Sequence, residues 1–185
     1  MRAPALACVL ALAAVATSAR ADPTRLAVPG QGWSVRFDGP SFKKLDEKDD
    51  PGRYSLFGNA DRFNLSLYVE PPMCPGGDSS ERIHACFLAS LKRNPTVLYD
   101  TERGNTLPRG GVMVMYMVEG DVGVSKVHAF NVNVLFAHKG KWGDLHVSYV
   151  SPRPEDVQAL IALAQSVEVV DDPAPPPPAS GASAP

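Results

Sequence analysis

Residues 127–150 read VHAFNVNVLFAHKGKWGDLHVSYV, and the alternation of apolar and polar side chains predicts two strands joined by a tight turn. If Lys139 and Gly140 form a two-residue turn, the register of the hairpin follows from the turn. The pairs on one face would be Phe130–Tyr149, Val132–Val147, Val134–Leu145 and Phe136–Gly143. Those on the other face would be Asn131–Ser148, Asn133–His146 and Leu135–Asp144. The first face is coherently apolar, which supports this register because a slip by one residue would exchange the faces.

Further strands are predicted on both sides of this hairpin. They cover residues 33–37, 53–58, 63–70, 96–103 and 112–118, with a short strand or extended segment at 167–170. Residues 112–118 are apolar on both faces, which indicates a strand that is covered on both sides. Residues 43–50 are charged and end in a turn at Asp50-Pro51-Gly52, and no strand is predicted there.

Two helices are predicted, at about 78–93 and 154–166. Asp78 and Glu81 have the spacing of a capping box, and apolar residues then follow at helical spacing. Pro154 suits the first position of the second helix, where two acidic residues follow it. Because strands run consecutively with helices interspersed, the sequence predicts an α+β fold in which helices pack on an antiparallel sheet.

Residues 1–21 have the three parts of a secretory signal peptide. Arg2 supplies the positive start, residues 5–16 form an apolar run, and small residues precede the expected cleavage after Ala21. Cys8 lies inside the apolar run and is interpreted as one of its small residues rather than as a lipidation site. The run is shorter than the roughly 20 residues of a membrane-spanning helix, and no other segment is apolar enough. The mature chain is expected in the periplasm or outside the cell.

The charge balance and the carboxyl-terminal composition limit the partners and the folded region. Loss of Arg2 and Arg20 leaves 16 basic against 20 acidic residues, a net charge of about −4. Nucleic acids and anionic membranes bind basic surfaces, so an unidentified protein or small molecule is expected instead.

Residues 171–185 read DDPAPPPPASGASAP, which predicts a disordered tail. The folded part is expected to be one domain over residues 22–170.

Two cysteines, Cys74 and Cys86, remain after removal of the signal peptide. Paired cysteines in an exported chain indicate a disulfide. The alternative is a redox or metal-binding thiol pair, but the spacing is not C-x-x-C and no further cysteine could complete a zinc site. His84 precedes Cys86 by two residues and would point to another side of the helix. It is therefore expected at the surface or at its boundary.

Met113, Met115 and Met117 fall on one face of their predicted strand. In an exported protein, three thioethers could bind copper(I) with help from His128 or His146. Methionine also fills irregular gaps in cores, and side chains two apart on a strand lie about 7 Å from each other, too far for one ion. Core packing is favoured, and no metal ligand or cofactor is assigned.

The polar face of the hairpin carries a candidate ligand-binding surface. Its residues are Asn131, Asn133, Asp144, His146 and Ser148. The last three are also the residue types of a hydrolytic triad. A triad needs its nucleophile about 3 Å from the base and an oxyanion hole, which residues in line on a flat strand do not provide. The chain also lacks a G-x-S-x-G motif, so no catalytic residue is assigned.

The opening segment Gly32-Trp33-Ser34-Val35-Arg36-Phe37, the strand-rich middle and a terminal helix that runs into Val167-Glu168-Val169 resemble the PsbP-like and DcrB-like domains. The resemblance lies in the order of elements over most of the folded region. It implies helices that sandwich an antiparallel sheet in an exported protein. The segment from Cys74 to Cys86 is not a feature of those domains, and the resemblance implies no site residue.

The sequence thus predicts an exported, non-catalytic accessory or binding domain. A soft-metal (copper) binding protein and a small hydrolase-like enzyme are the alternatives.

Overall fold

The computed structural model describes residues 23–39, 42, 44–60, 63–75 and 77–173. The predicted signal peptide at 1–21 and most of the predicted tail lie outside these residues. The described part forms an α+β fold, as predicted, with two antiparallel sheets and two helices. In chain order the elements are β1 Thr24–Val28, β2 Trp33–Phe37, β3 Leu45–Asp50, β4 Arg53–Ala60, β5 Phe63–Glu70, α1 Ser80–Leu91, β6 Val97–Thr106, β7 Val112–Val122, β8 Ser125–His138, β9 Lys141–Val150, α2 Pro154–Ser166 and β10 Glu168–Asp171.

The larger sheet has seven strands in the order β3-β4-β5-β9-β8-β7-β6, and the smaller has three in the order β1-β2-β10. The predicted hairpin is β8 and β9 in the centre of the larger sheet, and all seven predicted pairs are confirmed. Lys139 and Gly140 both have positive φ, 48° and 73°. Two consecutive left-handed residues match the right-handed twist of the flanking strands, so the turn fixes the register.

The apolar face of the larger sheet packs against α2 and the smaller sheet. Trp33 is fully buried there, and its ring meets Phe136 edge to face with 5.9 Å between centroids. Leu160 and Leu163 of α2 join the same core. The predicted burial of this hairpin face is therefore confirmed, and the smaller sheet forms one of the layers that cover it.

The opposite face of the larger sheet is covered in part by α1, which contacts β7 and β8. Ile83 and Leu91 enter a second apolar cluster there.

Cys74 and Cys86 form the predicted disulfide, with 6.1 Å between Cα atoms, so the loop before α1 is tied to the helix. The helix begins later than predicted, because the N-cap is Ser79 rather than Asp78: the Ser79 hydroxyl accepts a hydrogen bond from Arg82 N at 3.3 Å.

The structure contains two strands that the sequence did not predict, and its folded part extends beyond the predicted end. The charged segment 43–50 contains strand β3, an exposed edge strand that pairs with β4 over six residues. Charged residues such as these are uncommon in strands, so the sequence did not predict β3. The same charges discourage pairing of this edge with a further strand. β1, which was not predicted, pairs with β2. The folded part extends beyond residue 170, since β10 ends at Asp171 and Asp172 N donates to Gly32 O at 3.0 Å.

Gly143 allows the ring of Phe136 to lie across the neighbouring strand. A Cβ atom at Gly143 would lie 2.0 Å from Phe136 Cζ, and the ring is buried in the main core. Gly143→Ala should lower the free energy of unfolding by about 1–3 kcal/mol through overpacking, as measured by urea denaturation. Gly120→Ala is the control, because nothing lies within 4 Å of a Cβ atom at Gly120. Equal losses in the two variants would contradict this packing.

Candidate functional site

The polar face is the part of the larger sheet, on its α1 side, that carries polar side chains on β5, β8 and β9. It consists of Ser66, Asn131, Asn133, Asp144, His146 and Ser148. The structure brings all five residues of the predicted ligand surface together, because the hairpin register sets them on one face. Ser66 was not predicted. It joins them because β5 pairs with β9 and sets Ser66 directly opposite His146.

His146 lies between two polar partners. Its Nε2 is 2.9 Å from Asn131 Oδ1, and its Nδ1 is 3.5 Å from Ser66 Oγ. Asn131 Nδ2 donates to Ala129 O at 3.0 Å, which fixes the amide with its oxygen toward the imidazole. An amide oxygen only accepts, so His146 Nε2 carries the proton and Nδ1 presents a lone pair to Ser66.

Burial also controls the ionisation of two side chains in the polar face. Burial lowers the pKa of His146 to about 4, so the imidazole is neutral at pH 7. Burial raises the pKa of Asp144 to about 7, against the opposing effect of the hydrogen bond from Asn133, and the charge of Glu70 adds to the rise. That hydrogen bond joins Asn133 Nδ2 to Asp144 Oδ1 at 2.8 Å.

Two pockets open at opposite ends of the polar face. The larger, of about 520 Å³, lies beside β4 and β5 and reaches Ser66 and His146. Phe57, Asn59 and Asn64 contribute to its wall. The smaller, of about 160 Å³, lies beside α1 and reaches Asp144. The polar face is thus open to small molecules at both ends.

The hydrogen bonds do not join Asp144, His146 and Ser148 as a triad. Within the described part of the chain, the hydrogen bonds of His146 go to Ser66 and Asn131, while Asp144 bonds to Asn133. As expected for three residues in line on one strand, Asp144, His146 and Ser148 do not form the chain of hydrogen bonds that a catalytic triad needs. Ser66 is a different neighbour of the imidazole, but it lies inside β5, which is paired on both sides. Backbone N–H groups in such ladders lie in the plane of the sheet and are not available as an oxyanion hole.

The methionines lie on the other side of the sheet. Met113 is buried in the main core, and Met115 packs against that core. His146 belongs to the polar face and cannot join them, so the suggested help from His146 was wrong: alternate residues of a sheet point to opposite sides. His128 Nε2 instead contacts Glu119 Oε2 at 3.2 Å.

His84 is half-buried on α1, beside Gly104, which agrees with a boundary position. No helix within the residues that the structure describes is both long and apolar enough to cross a membrane.

Comparisons with known proteins give similarity to solved structures only. No protein-family model matches the chain, and no curated protein matches it. The Ran-binding protein Mog1p of Saccharomyces cerevisiae is 10% identical, over 81% of this chain and 96% of its own, with a TM-score of 0.45. A mutant of Mog1 is 11% identical, over 82% and 97%, with a TM-score of 0.44. A protein from Bacteroides thetaiotaomicron is 13% identical, over 78% and 47%, with a TM-score of 0.41.

Sequence identities of 10–13% and TM-scores of 0.41–0.45 carry no argument about function. The resemblance to PsbP-like and DcrB-like domains stays a prediction. The class of the molecule rests on its own structure: an α+β domain with a polar face that is open at two ends.

The pKa shifts of Asp144 and His146 affect stability in opposite directions between about pH 4 and 6.5. In that range Asp144 is protonated in the folded chain and ionised in the unfolded chain, so its contribution falls as pH rises. His146 is neutral in the folded chain and charged in the unfolded chain, so its contribution rises with pH. Each slope reaches about 1.4 kcal/mol per pH unit at most, and the two offset each other.

Single substitutions should separate these slopes. Relative to the unchanged protein, Asp144→Asn should gain stability as pH rises from about 4 to 6.5, and His146→Gln should lose it. Urea denaturation at a series of pH values measures both differences. Ser148→Ala, which removes no titrating group, should give a difference that is constant with pH. If both variants follow the unchanged protein in parallel, the ionisation states given above are incorrect.

Proposed function

We propose that this protein is an exported, non-catalytic binding domain that holds a small, uncharged polar ligand in the larger pocket of the polar face. The observation that carries the proposal is the opening of a pocket of about 520 Å³ onto His146 and Ser66. Ligand sites are commonly preformed concave pockets in which a few polar groups fix the orientation of the ligand. The hydrogen bond to Asn131 holds His146 in one orientation in advance of binding.

The groups in the pocket favour an uncharged ligand. Lys44 and Asp46 lie at the rim and pair with each other at 2.8 Å, so their charges offset. Asn59 Nδ2 donates to Asn64 Oδ1 at 2.7 Å, and both amides keep capacity to donate and to accept. His146 adds no charge at neutral pH, because burial lowers its pKa.

An aromatic ring gives the same pocket an apolar wall. Phe57 is 36% exposed and lies edge to face with Tyr68, with 5.7 Å between ring centroids. A flat apolar surface beside amides, a hydroxyl and an imidazole suits a ligand that has hydroxyl groups on an apolar ring. A neutral monosaccharide has this chemistry.

Export is the second part of the proposal. It is supported by residues 1–21, which have the charge and apolar pattern of a signal peptide. The disulfide between Cys74 and Cys86 also supports it, because such bonds persist in oxidising compartments.

Binding can be tested with glucose, galactose and N-acetylglucosamine as probes. The ring-proton signals of His146 should shift in a saturable manner with at least one of the three sugars, as measured by NMR. The chain has four histidines, and the His146→Gln variant assigns the signal and should lose the binding. The matched control is His128→Gln, which changes an exposed histidine outside the pocket and should bind normally. Unchanged His146 signals with all three sugars would exclude this ligand class.

Export can be tested by expression of the full chain in a bacterium that has a periplasm. The recovered protein should begin at Asp22 by intact mass, and Cys74 and Cys86 should react with iodoacetamide only after reduction. Cys74→Ser should lower the free energy of unfolding by about 3 kcal/mol, because the loop between the cysteines is no longer closed. A chain that keeps Met1, or cysteines that react without reduction, would overturn this part of the proposal.

A further inference from the structure

A second cavity, separate from the pocket at His146, lies between the larger sheet and α1. Its volume is about 160 Å³. Glu70, Trp142 and Asp144 line it from the sheet, and Cys86 and Phe87 line it from α1. Because the disulfide ties the preceding loop to Cys86, the wall on the helix side is held in place before any ligand arrives.

Three neighbouring side chains with polar atoms, those of Glu70, Trp142 and Asp144, line the cavity on the side of the sheet. Trp142 and Asp144 are two apart on β9 and therefore share a face. Glu70 on β5 lies directly opposite Trp142 in the register. Thus strand pairing, rather than flexible loops, sets the relative positions of the indole and the two carboxyl groups.

Trp142 contains an unused hydrogen-bond donor. Its side chain is 3% exposed, and its Nε1 has no hydrogen-bond partner in the described part of the chain. A buried donor without a partner is unfavourable, because burial removes its hydrogen bond to water and nothing replaces it. Since the indole lines a cavity, an acceptor on a bound molecule could satisfy it.

The same cavity contains two carboxyl groups, those of Glu70 and Asp144. Asp144 bonds to the neutral amide of Asn133, and burial together with Glu70 raises the pKa of Asp144. Burial raises the pKa of Tyr116, on β7, and the charge of Asp144 adds to the rise. Glu70 has a cationic partner, Arg53 Nε at 3.5 Å, but the side chains that line the cavity include no lysine or arginine.

Apart from Ser90, the remaining wall is apolar or aromatic. Ile83, Phe87 and Leu135 line it together with Cys86. An organic ammonium ion fits such a site better than a hydrated metal ion does, because its carbon atoms contact the apolar wall and its charge is stabilised by aromatic faces and carboxylates.

We propose that this cavity binds a small organic ammonium ion that carries a hydroxyl group, of the size of ethanolamine. The ammonium group donates hydrogen bonds to the carboxylates of Asp144 and Glu70. The hydroxyl oxygen accepts the hydrogen bond from Trp142 Nε1, and the carbon chain lies against Phe87.

The test uses the indole N–H signals of the ¹⁵N-labelled mature protein at about pH 8, where most of Asp144 is ionised. The chain has two tryptophans, so two signals are expected, and Trp142→Phe assigns them. Ethanolamine hydrochloride should shift the Trp142 signal in a saturable manner, in the millimolar range that is typical of ligands with so few atoms. Trp33 is fully buried in the main core, and its signal should not move. Sodium chloride at equal ionic strength is the salt control.

Variants and analogues separate the parts of the proposal. Asp144→Asn should weaken binding by about tenfold or more, because a charge-assisted hydrogen bond is lost. Asp121→Asn, which changes an exposed residue at the end of β7, should bind as the unchanged protein does. Ethylamine, which lacks the hydroxyl group, should bind more weakly than ethanolamine, and ethylene glycol, which lacks the charge, should not bind.

Three results would overturn the proposal: a Trp142 signal that does not move with ethanolamine, equal binding by Asp144→Asn, or an equal effect of sodium chloride. The sugar experiment reports on His146 and this one on Trp142, so failure of one is distinguishable from failure of the other.

Discussion

The pairing of β5 with β9 is the contact on which the rest of the structure depends. Eight residue pairs join these strands across about 80 positions of sequence. They unite the β3-β4-β5 meander with the β9-β8-β7-β6 meander in one sheet, and they create an apolar surface wide enough to need both α2 and the smaller sheet as cover. The same pairing gives the opposite surface its composition, since Ser66 meets His146 and Glu70 meets Trp142 only through this register.

The polar face lowers the stability of the fold, because it desolvates His146 and Asp144, which line the two pockets. Desolvation lowers the pKa of His146 and raises that of Asp144, so each group is held in the less charged form. Asn133 Oδ1 and Trp142 Nε1 are buried without a hydrogen-bond partner among the residues that the structure describes, as is Trp33 Nε1 in the main core. Apolar side chains at these positions would avoid both costs. Departures of this kind from the most stable arrangement are typical of binding surfaces.

The two helices cover the larger sheet to different extents. α2 closes the apolar face through Leu160, Leu163 and Ala164. The disulfide ties α1 to the loop before it, and the helix packs mainly on β8 and β7, which leaves the rest of that surface to the polar side chains. This partial cover produces the smaller cavity at the side of α1 and leaves the larger pocket open beside β4. The strand β3 then borders this open region with charges that discourage further strand pairing.

The sequence alone determined the elements whose signals are local. The alternation in residues 127–150 and the Lys139-Gly140 turn were enough for every predicted pair of β8 and β9, and they placed five residues of the polar face together. Helical spacing predicted both helices, and the paired cysteines predicted the disulfide. Tertiary structure decided the position of Ser66, because β5 pairs with β9 about 80 positions away. β3 and β1 pair with the next strand along the chain, but the charged sequence of β3 and the short sequence of β1 give little local strand signal. Local patterns record which side of a strand is buried, but only long-range pairing decides which strand lies next to it and therefore where a pocket forms.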